Sequence, residues 1–146
     1  IFILFLMVID ETDNLEYFLY KYNISKKEQK RAKVISNFYK EKKESIILSE
    51  ANLNKVLYYN GKQAVLDILN FKIIKTKKSD KNLLNLLELY KSKTKPSLPI
   101  GADLLMNRYK IPEGRQLGST LKLIEEEWIR NNFEISDKQI DNIVKG

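Results

Sequence analysis

Residues 99–132 read PIGADLLMNRYKIPEGRQLGSTLKLIEEEWIRNN and carry the strongest structural signal in the chain. Apolar residues recur at helical spacing on both sides of a run that contains one proline and two glycines. We predict a short helix over residues 102–109, a turn over 111–119 and a longer amphipathic helix over 120–132. Helix, glycine-containing turn and helix together form a helical hairpin.

The turn of this hairpin has the features of an anion site. Pro112, Gly114 and Gly118 keep side chains away from the backbone as it enters the second helix. The first amides of a helix lack intrahelical acceptors and lie at the positive end of its dipole. Arg115 and Lys122 stand beside them and can bind a phosphate. This chemistry predicts contact with a nucleic-acid backbone without recognition of base identity. The alternative is a tight helical corner in which the glycines only permit close packing.

The rest of the chain also shows helical periodicity. Ser25 and Glu28 have the spacing of a capping box, which marks a helix start near residue 26. The same spacing recurs at Ser136 and Gln139, ahead of a last helix. On the helix near 26–40, Arg31 and the lysines are expected to point outward. Other helices are predicted over residues 2–22 and after the capping residues Ser49, Asn60 and Ser79.

Two short β-branched runs, Ile46-Ile47 and Ile73-Ile74, would suit strands, but nothing nearby offers a hairpin turn to pair them. The predicted fold class is therefore all-α. The segment KTKPSLPIG, residues 93–101, places two prolines and a glycine within nine residues, which predicts a joint between helices. We expect a helical body over residues 1–95 and a helical tail with the glycine-turn hairpin over 96–146.

The charge of the chain is unevenly distributed. The formal net charge is +7, but residues 1–20 carry −4, residues 21–100 carry +12 and residues 101–146 carry −1. A middle segment this basic attracts a polyanion. The alternative is a solvated lysine-rich surface, because nearly all of the bases are lysines.

The composition excludes several chemistries. Without cysteine or histidine there is no thiolate nucleophile, no thiolate or imidazole metal site and no His-based catalysis. The acids at residues 10–13 are interpreted as a helix start, and those at 125–127 as a solvated helix face or as i,i+4 partners of Arg130 and its neighbours. Trp128 and Tyr109 could stack on bases but are interpreted as core residues. We predict no catalytic residue and no metal ligand in this chain.

The amino end, IFILFLMVI at residues 1–9, is a run of nine apolar residues. It is shorter than the roughly 20 residues that span a bilayer. It also lacks the preceding bases and the following small residues of a secretory signal. We interpret it as a core segment whose partners lie upstream, and we expect no membrane contact and a cytoplasmic location.

The stretch PIGADLLMNRYKIPEGRQLGSTLKLIEEEWI resembles the carboxy-terminal signature of class II tRNA nucleotidyltransferases, the family of bacterial CCA-adding enzymes and poly(A) polymerases. Gly101, Asp103 and Leu104 match a Gly-x-Asp-Leu element of that family. Gly114 and Gly118 match two glycines that precede a helix. The resemblance implies that these positions shape loops close to bound RNA.

A second segment, YYNGKQAVLDILNF at residues 58–71, is similar to a family segment with a glycine ahead of a helix. In that family an amino-terminal head binds the metal ions, a neck selects CTP and ATP, and a helical body and tail hold the tRNA. The resemblance implies that this chain is the body and tail. It contains neither a Gly-Ser followed by Asp-x-Asp nor a Glu-Asp-x-x-Arg element. Mg²⁺, CTP and ATP are therefore expected only in a missing head.

The predicted function is RNA binding within tRNA 3′-end processing, with tRNA as partner and a separately encoded catalytic head and neck as a further partner. Alone, the chain is predicted to be inactive. The candidate RNA-contacting residues are Gly101, Asp103, Arg108, Gly114, Arg115, Gly118 and Lys122. For Asp103 the competing interpretation is a helix cap or a bond that organises the following glycine turn. Two other functions stay open: a non-catalytic helical interaction module or fragment of a split or degraded gene, and a DNA-binding hairpin protein.

Overall fold

A computed structural model describes residues 2, 14–40, 48–76 and 80–145. Within these ranges the chain forms helices and no strand, which confirms the predicted all-α fold. None of the described helices combines the length and the apolar character needed to cross a membrane. The helices are α1 (Asn14–Lys21), α2 (Lys26–Lys40), α3 (Glu50–Asn60), α4 (Lys62–Lys75), α5 (Lys81–Ser92), α6 (Ala102–Tyr109), α7 (Arg115–Arg130) and α8 (Asp137–Lys145).

Several sequence predictions concern residues outside the described ranges. They are the packing of the apolar amino end beyond Phe2, the acids at residues 10–13, the Ile46-Ile47 pair and Ser79. The Ile73-Ile74 pair lies inside α4. A helix accommodates this pair because both residues continue the apolar pattern of α4.

Three of the eight described helices, α2, α3 and α8, begin with a hydrogen-bonding side chain that the sequence predicts. Ser49 Oγ accepts a hydrogen bond from the amide three residues on, at 3.4 Å. At the start of α8, Gln139 Oε1 accepts from the Ser136 amide at 2.9 Å, and Ser136 Oγ accepts from the Gln139 amide at 3.4 Å, a complete capping box. At the start of α2 the Glu28 carboxylate accepts instead from the Ser25 hydroxyl, at 2.6 Å.

One predicted cap is wrong. Asn60 is still helical and ends α3, so it cannot cap α4; Gly61 separates the two helices with a φ of 84°, a conformation that favours glycine. α5 is capped by Asp80. The Asp80 carboxylate accepts from the amides of Asn82 and Leu83, at 2.9 and 3.4 Å, and thereby satisfies two otherwise unpaired donors.

The larger hydrophobic core lies among α1 to α5, and α4 packs against α2, α3 and α5. α4 occupies the centre because apolar side chains cover most of its circumference. The buried residues of this core are Leu15, Leu19, Ala32, Ile35, Phe38, Leu53, Val56, Leu57, Ala64, Val65, Ile68, Leu69, Phe71, Leu83 and Tyr90.

One carboxylate is buried in this core. Asp67 of α4 accepts hydrogen bonds from Arg31 Nε at 2.7 Å and Arg31 Nη2 at 2.6 Å, and a third from Gln63 Nε2 at 2.9 Å. The outward orientation predicted for Arg31 is therefore wrong. The reason is that a buried carboxylate needs a cationic partner, and the hydrogen bonds to Asp67 raise the pKa of the Arg31 guanidinium.

A second, smaller hydrophobic cluster lies among α6, α7 and α8. Residues 93–101 connect the two clusters without helical structure, as the prolines predict. The division of the chain into two domains at residue 95 stays a prediction. The buried members of the smaller cluster are Ile100, Leu105, Ile111, Leu117, Ile124 and Ile140.

The connecting segment is held by one buried amide. Asn54 of α3 is fully buried, and its amide nitrogen donates to Asn132 Oδ1 at 2.8 Å. Its Oδ1 accepts from Tyr90 Oη at 2.7 Å and from Lys93 Nζ at 3.4 Å. These partners come from the loop after α7, from α5 and from the start of the connecting segment. One side chain therefore ties together four parts of the chain.

α7 packs directly against α3. Trp128 is 2% exposed, and its ring meets Tyr58 at a centroid distance of 5.5 Å and Phe133 at 5.0 Å, both edge to face. The interpretation of Trp128 as a core residue is confirmed. Glu125 accepts hydrogen bonds from the hydroxyls of Tyr58 and Tyr59, so its predicted place on a solvated face is wrong.

Replacing Asn54 by leucine tests the buried amide. Asn54→Leu leaves the Tyr90 hydroxyl and the Asn132 amide without their partner, so the free energy of unfolding should fall by about 1–3 kcal/mol in denaturant titrations. Asn85→Leu, on an exposed face of α5, is the matched control and should change it by less than about 0.5 kcal/mol. Equal effects of the two variants would contradict the role assigned to Asn54.

Removing the charge of Glu125 tests the contact between α3 and α7. The hydrogen bond to Glu125, assisted by burial, raises the pKa of Tyr59 to about 12 from its ordinary 10.0. Because the folded-state pKa is the higher one, this stabilisation is complete below about pH 10 and is lost as the pH rises from 10 to 12.

Glu125→Gln should therefore lower the pKa of Tyr59 toward 10.0, which the ultraviolet titration of tyrosinate measures against a Tyr59→Phe reference. Glu126→Gln is the control, because Glu126 makes only the smallest contribution to this pKa. A Glu125→Gln titration that matches the unmodified chain would show that the carboxylate does not bind Tyr59.

Candidate nucleic-acid interface

The turn between α6 and α7 is shorter than predicted. α6 ends at Tyr109, Lys110 adopts a left-handed conformation with a φ of 58°, and α7 begins at Arg115 rather than near residue 120. Gly114 precedes α7 with a φ of 144°, which only glycine adopts without strain. Gly118, predicted in the turn, lies inside α7. The helix begins early because Leu117 already belongs to its buried face.

The first turn of α7 presents backbone donors without partners inside the helix. The first hydrogen bond at this end runs from the Gly118 amide to the Gly114 carbonyl, at 3.2 Å. The amides of residues 115–117 precede it, and Gly114 has no side chain to cap them. These amides lie at the positive end of the longest described helix, where anions are favoured.

Four residues form one exposed stripe on α7. Arg115, Gly118, Ser119 and Lys122 are all exposed, and positions three, four and seven apart lie on the same side of a helix. We call these four residues the α7 stripe. It places a cation at each end of a short surface whose centre, at Gly118, is bare backbone.

Gly118 is explained neither by backbone conformation nor by packing. Its φ is not positive, and a Cβ built on it would meet no atom within 4 Å. The same open space surrounds Gly101 and Gly114. The alternative in which the glycines permit close helix packing is therefore wrong. A glycine inside a helix costs about 1 kcal/mol relative to alanine. Gly118 therefore makes α7 less stable than an alanine at the same position would.

The other candidate residues lie apart from the α7 stripe. Gly101 and Asp103 are at the start of α6, about 12 Å along its axis from the turn. Gly101 occupies the cap position of α6, so the interpretation of Asp103 as a cap is wrong. Arg108 Nη1 contacts Asp137 Oδ1 of α8 at 3.0 Å, and this hydrogen bond raises the pKa of the Arg108 guanidinium.

Two exposed residues beside the α7 stripe are not among the candidates predicted from the sequence. Lys110 lies at the start of the turn and adds a third positive charge there, and Gln116 lies in the first turn of α7. The left-handed conformation of Lys110 had no sequence signal, since lysine is not among the residues that favour it. Gln116 is a candidate because α7 begins at Arg115, which places Gln116 in the first turn of the helix.

The carboxylates of the described residues do not fit a divalent metal ion. Within residues 2, 14–40, 48–76 and 80–145, no three acidic side chains come together as ligands. Asp67 is paired with Arg31, and Glu127 with Arg130. No step of nucleotidyl transfer can be derived from this part of the chain.

The described residues form an all-helical fold in which one hairpin exposes Arg115 and Lys122 on the same side of α7. The family model for tRNA nucleotidyltransferase domain 2 matches residues 1–144. The chain therefore belongs to this family, and the resemblance to the carboxy-terminal region of tRNA nucleotidyltransferases is confirmed. Neither the search of curated proteins nor the search of solved structures found a match.

The open space at Gly118 gives a prediction that does not depend on RNA. Gly118→Ala should raise the free energy of unfolding by about 1 kcal/mol, because alanine favours the helix and has room for its Cβ. Gly114→Ala is the contrasting variant and should lower it by about 1 kcal/mol or more, because φ is 144°. Denaturant titration measures both, and a destabilising Gly118→Ala would contradict the open surface.

Proposed function

We propose that this domain binds tRNA for a nucleotidyltransferase that builds the tRNA 3′ end by CCA addition. The observation that carries the proposal is Gly118, an exposed helix-interior glycine between Arg115 and Lys122, in a chain that belongs to a tRNA nucleotidyltransferase domain family. A bare helix surface is useful where a polymer backbone approaches closely.

The stripe and the turn together suit phosphate groups. The free amides of residues 115–117 donate to phosphate oxygens, and Arg115 and Lys122 add charge-assisted hydrogen bonds. Neither kind of contact reads a base, so the domain recognises the shape and backbone of tRNA rather than its sequence. Gly101, Asp103 and Arg108 then support the hairpin or contact RNA outside the stripe.

The charge of the body supports the same partner. Residues 21–100 carry +12, and Lys26, Lys27 and Lys30 of α2 are exposed. Such a surface attracts tRNA over long range and releases counterions when it binds. Catalysis then belongs to a head and neck that carry the metal ions and nucleotides, supplied by another segment or polypeptide. The cytoplasm, where this processing needs tRNA, is the proposed location.

Measuring tRNA affinity across a salt series tests the stripe. Arg115→Gln and Lys122→Gln should each weaken binding and reduce the slope of log affinity against log salt by about 1, because each removes one phosphate contact. Lys91→Gln is the matched control, since Lys91 is exposed on α5 and paired with Glu88. Loss of affinity in the control alone, or salt-independent binding, would contradict the proposal.

A second variant isolates the bare surface. Gly118→Gln leaves the net charge unchanged and favours the helix, so the fold should stay stable. Its side chain occupies the open surface that the RNA backbone would approach, so tRNA affinity should fall. Gly118→Ala adds only a methyl group and should lower tRNA affinity less. Incorporation of CTP or ATP by the chain alone should be absent, and activity would show that catalysis resides here. Preference for duplex DNA over tRNA would favour a DNA-binding hairpin protein. Binding to a protein partner without any RNA binding would favour a non-catalytic interaction module.

A further inference from the structure

Three tyrosines are exposed at the end of α1, and none of them belongs to the α7 stripe. Tyr17, Tyr20 and Tyr22 are 63%, 88% and 58% exposed. Aromatic side chains contribute large apolar areas that proteins normally bury, and exposed aromatic clusters mark interaction surfaces. We call these residues with Lys21 the tyrosine platform.

The backbone beneath the platform is ordered by its own hydrogen bonds. Asn23 adopts a left-handed conformation with a φ of 45°. The Asn23 amide donates to the Tyr20 carbonyl at 3.4 Å, and the Ile24 amide donates to the Leu19 carbonyl at 3.5 Å. This is the Schellman arrangement that ends a helix and satisfies its last carbonyls. The end of α1 is therefore a defined turn in which the Leu19 and Tyr20 carbonyls are satisfied.

Positive charge lies among the rings. Lys21 Nζ is 5.6 Å from the centroid of the Tyr17 ring and 5.8 Å from that of Tyr22, within cation–π range. Beside them is a concavity of about 660 Å³ that reaches Gln29 in the first half of α2. Among the three tyrosines, Tyr20 is the most exposed.

The neighbouring charges are also positive. Lys26 and Lys30 lie three positions before and one after Gln29 on α2, and both are exposed. Two described acids lie in the same segments: Glu16 Oε1 contacts Lys33 Nζ at 3.0 Å, and the Glu28 carboxylate accepts a hydrogen bond from the Ser25 hydroxyl. The exposed lysines of residues 21–33 outnumber these two acids. The surroundings of the platform therefore favour an anion that also offers flat apolar faces.

We propose that the tyrosine platform binds unstacked bases of single-stranded RNA, with Tyr20 as the main stacking ring and Lys21, Lys26 and Lys30 along the phosphates. Stacking on aromatic rings inside a basic groove is how single strands are bound without sequence readout. This inference rests on the proposed RNA-binding function and extends it from duplex backbone at the α7 stripe to single-stranded segments at α1.

Fluorescence anisotropy with labelled oligoadenylate tests the platform. Tyr20→Ala should weaken oligoadenylate binding by about 5- to 100-fold, whereas Tyr20→Phe, which keeps the ring, should bind like the unmodified chain. The salt slope should not change with Tyr20→Ala, because no charge is removed, but Lys26→Gln should reduce it. Since Tyr20 is 88% exposed, the fold should persist, which circular dichroism checks.

A blunt-ended RNA duplex, which offers no unstacked loop bases, serves as the second ligand and separates the two proposals. Tyr20→Ala should leave the affinity for the duplex unchanged, while Arg115→Gln should lower it. If the duplex and tRNA bind but oligoadenylate affinity is the same in Tyr20→Ala as in the unmodified chain, this inference fails and the proposed function stands. If tRNA, the duplex and oligoadenylate all fail to bind, both proposals fail. A Tyr20→Ala change in sedimentation would identify a second copy of the chain as the occupant and overturn the inference.

Discussion

A fully buried side-chain amide, that of Asn54, determines how the two hydrophobic clusters are joined. It meets the Tyr90 hydroxyl, the Asn132 amide and the Lys93 ammonium group in one place. Because a buried polar group without a partner is costly, each of these contacts constrains the others. The prolines after α5 interrupt the helix, but Asn54 determines where the connecting segment lies. Trp128 then packs against Tyr58 of α3, so α7, which carries the stripe, lies against a helix of the larger core.

A buried polar group also determines side-chain orientation in the larger hydrophobic core. Asp67 is buried in α4 and would destabilise the core unless its charge were matched, so Arg31 turns inward from an otherwise solvated helix face. This leaves the lysines of α2 to carry the positive surface. The cation that holds the fold together is thus distinct from the exposed lysines of α2.

The interface chemistry is simple because the chain lacks histidine and cysteine. The two proposed surfaces use backbone amides, lysines, arginines and tyrosine rings, which suit phosphates and base faces. The α7 stripe and the tyrosine platform use different parts of this set. One offers bare backbone and charge at Gly118, and the other offers stacking surface at Tyr20. A tRNA presents both duplex backbone and single-stranded segments, so the two surfaces are complementary in the ligands they suit.

The sequence by itself determined the helical fold class, the bounds of α2 and α6 and the family, because apolar periodicity, capping residues and the glycine-punctuated hairpin are local patterns. It also located Gly114 and Arg115 next to a helix, although it placed the start of that helix near residue 120 rather than at Arg115. Only the tertiary structure decided that Arg31 faces inward, that Glu125 meets two tyrosines and that Gly118 is open rather than packed. Those outcomes depend on side chains far apart in the chain, and no local pattern reports which distant partner will desolvate a charge or leave a surface uncovered.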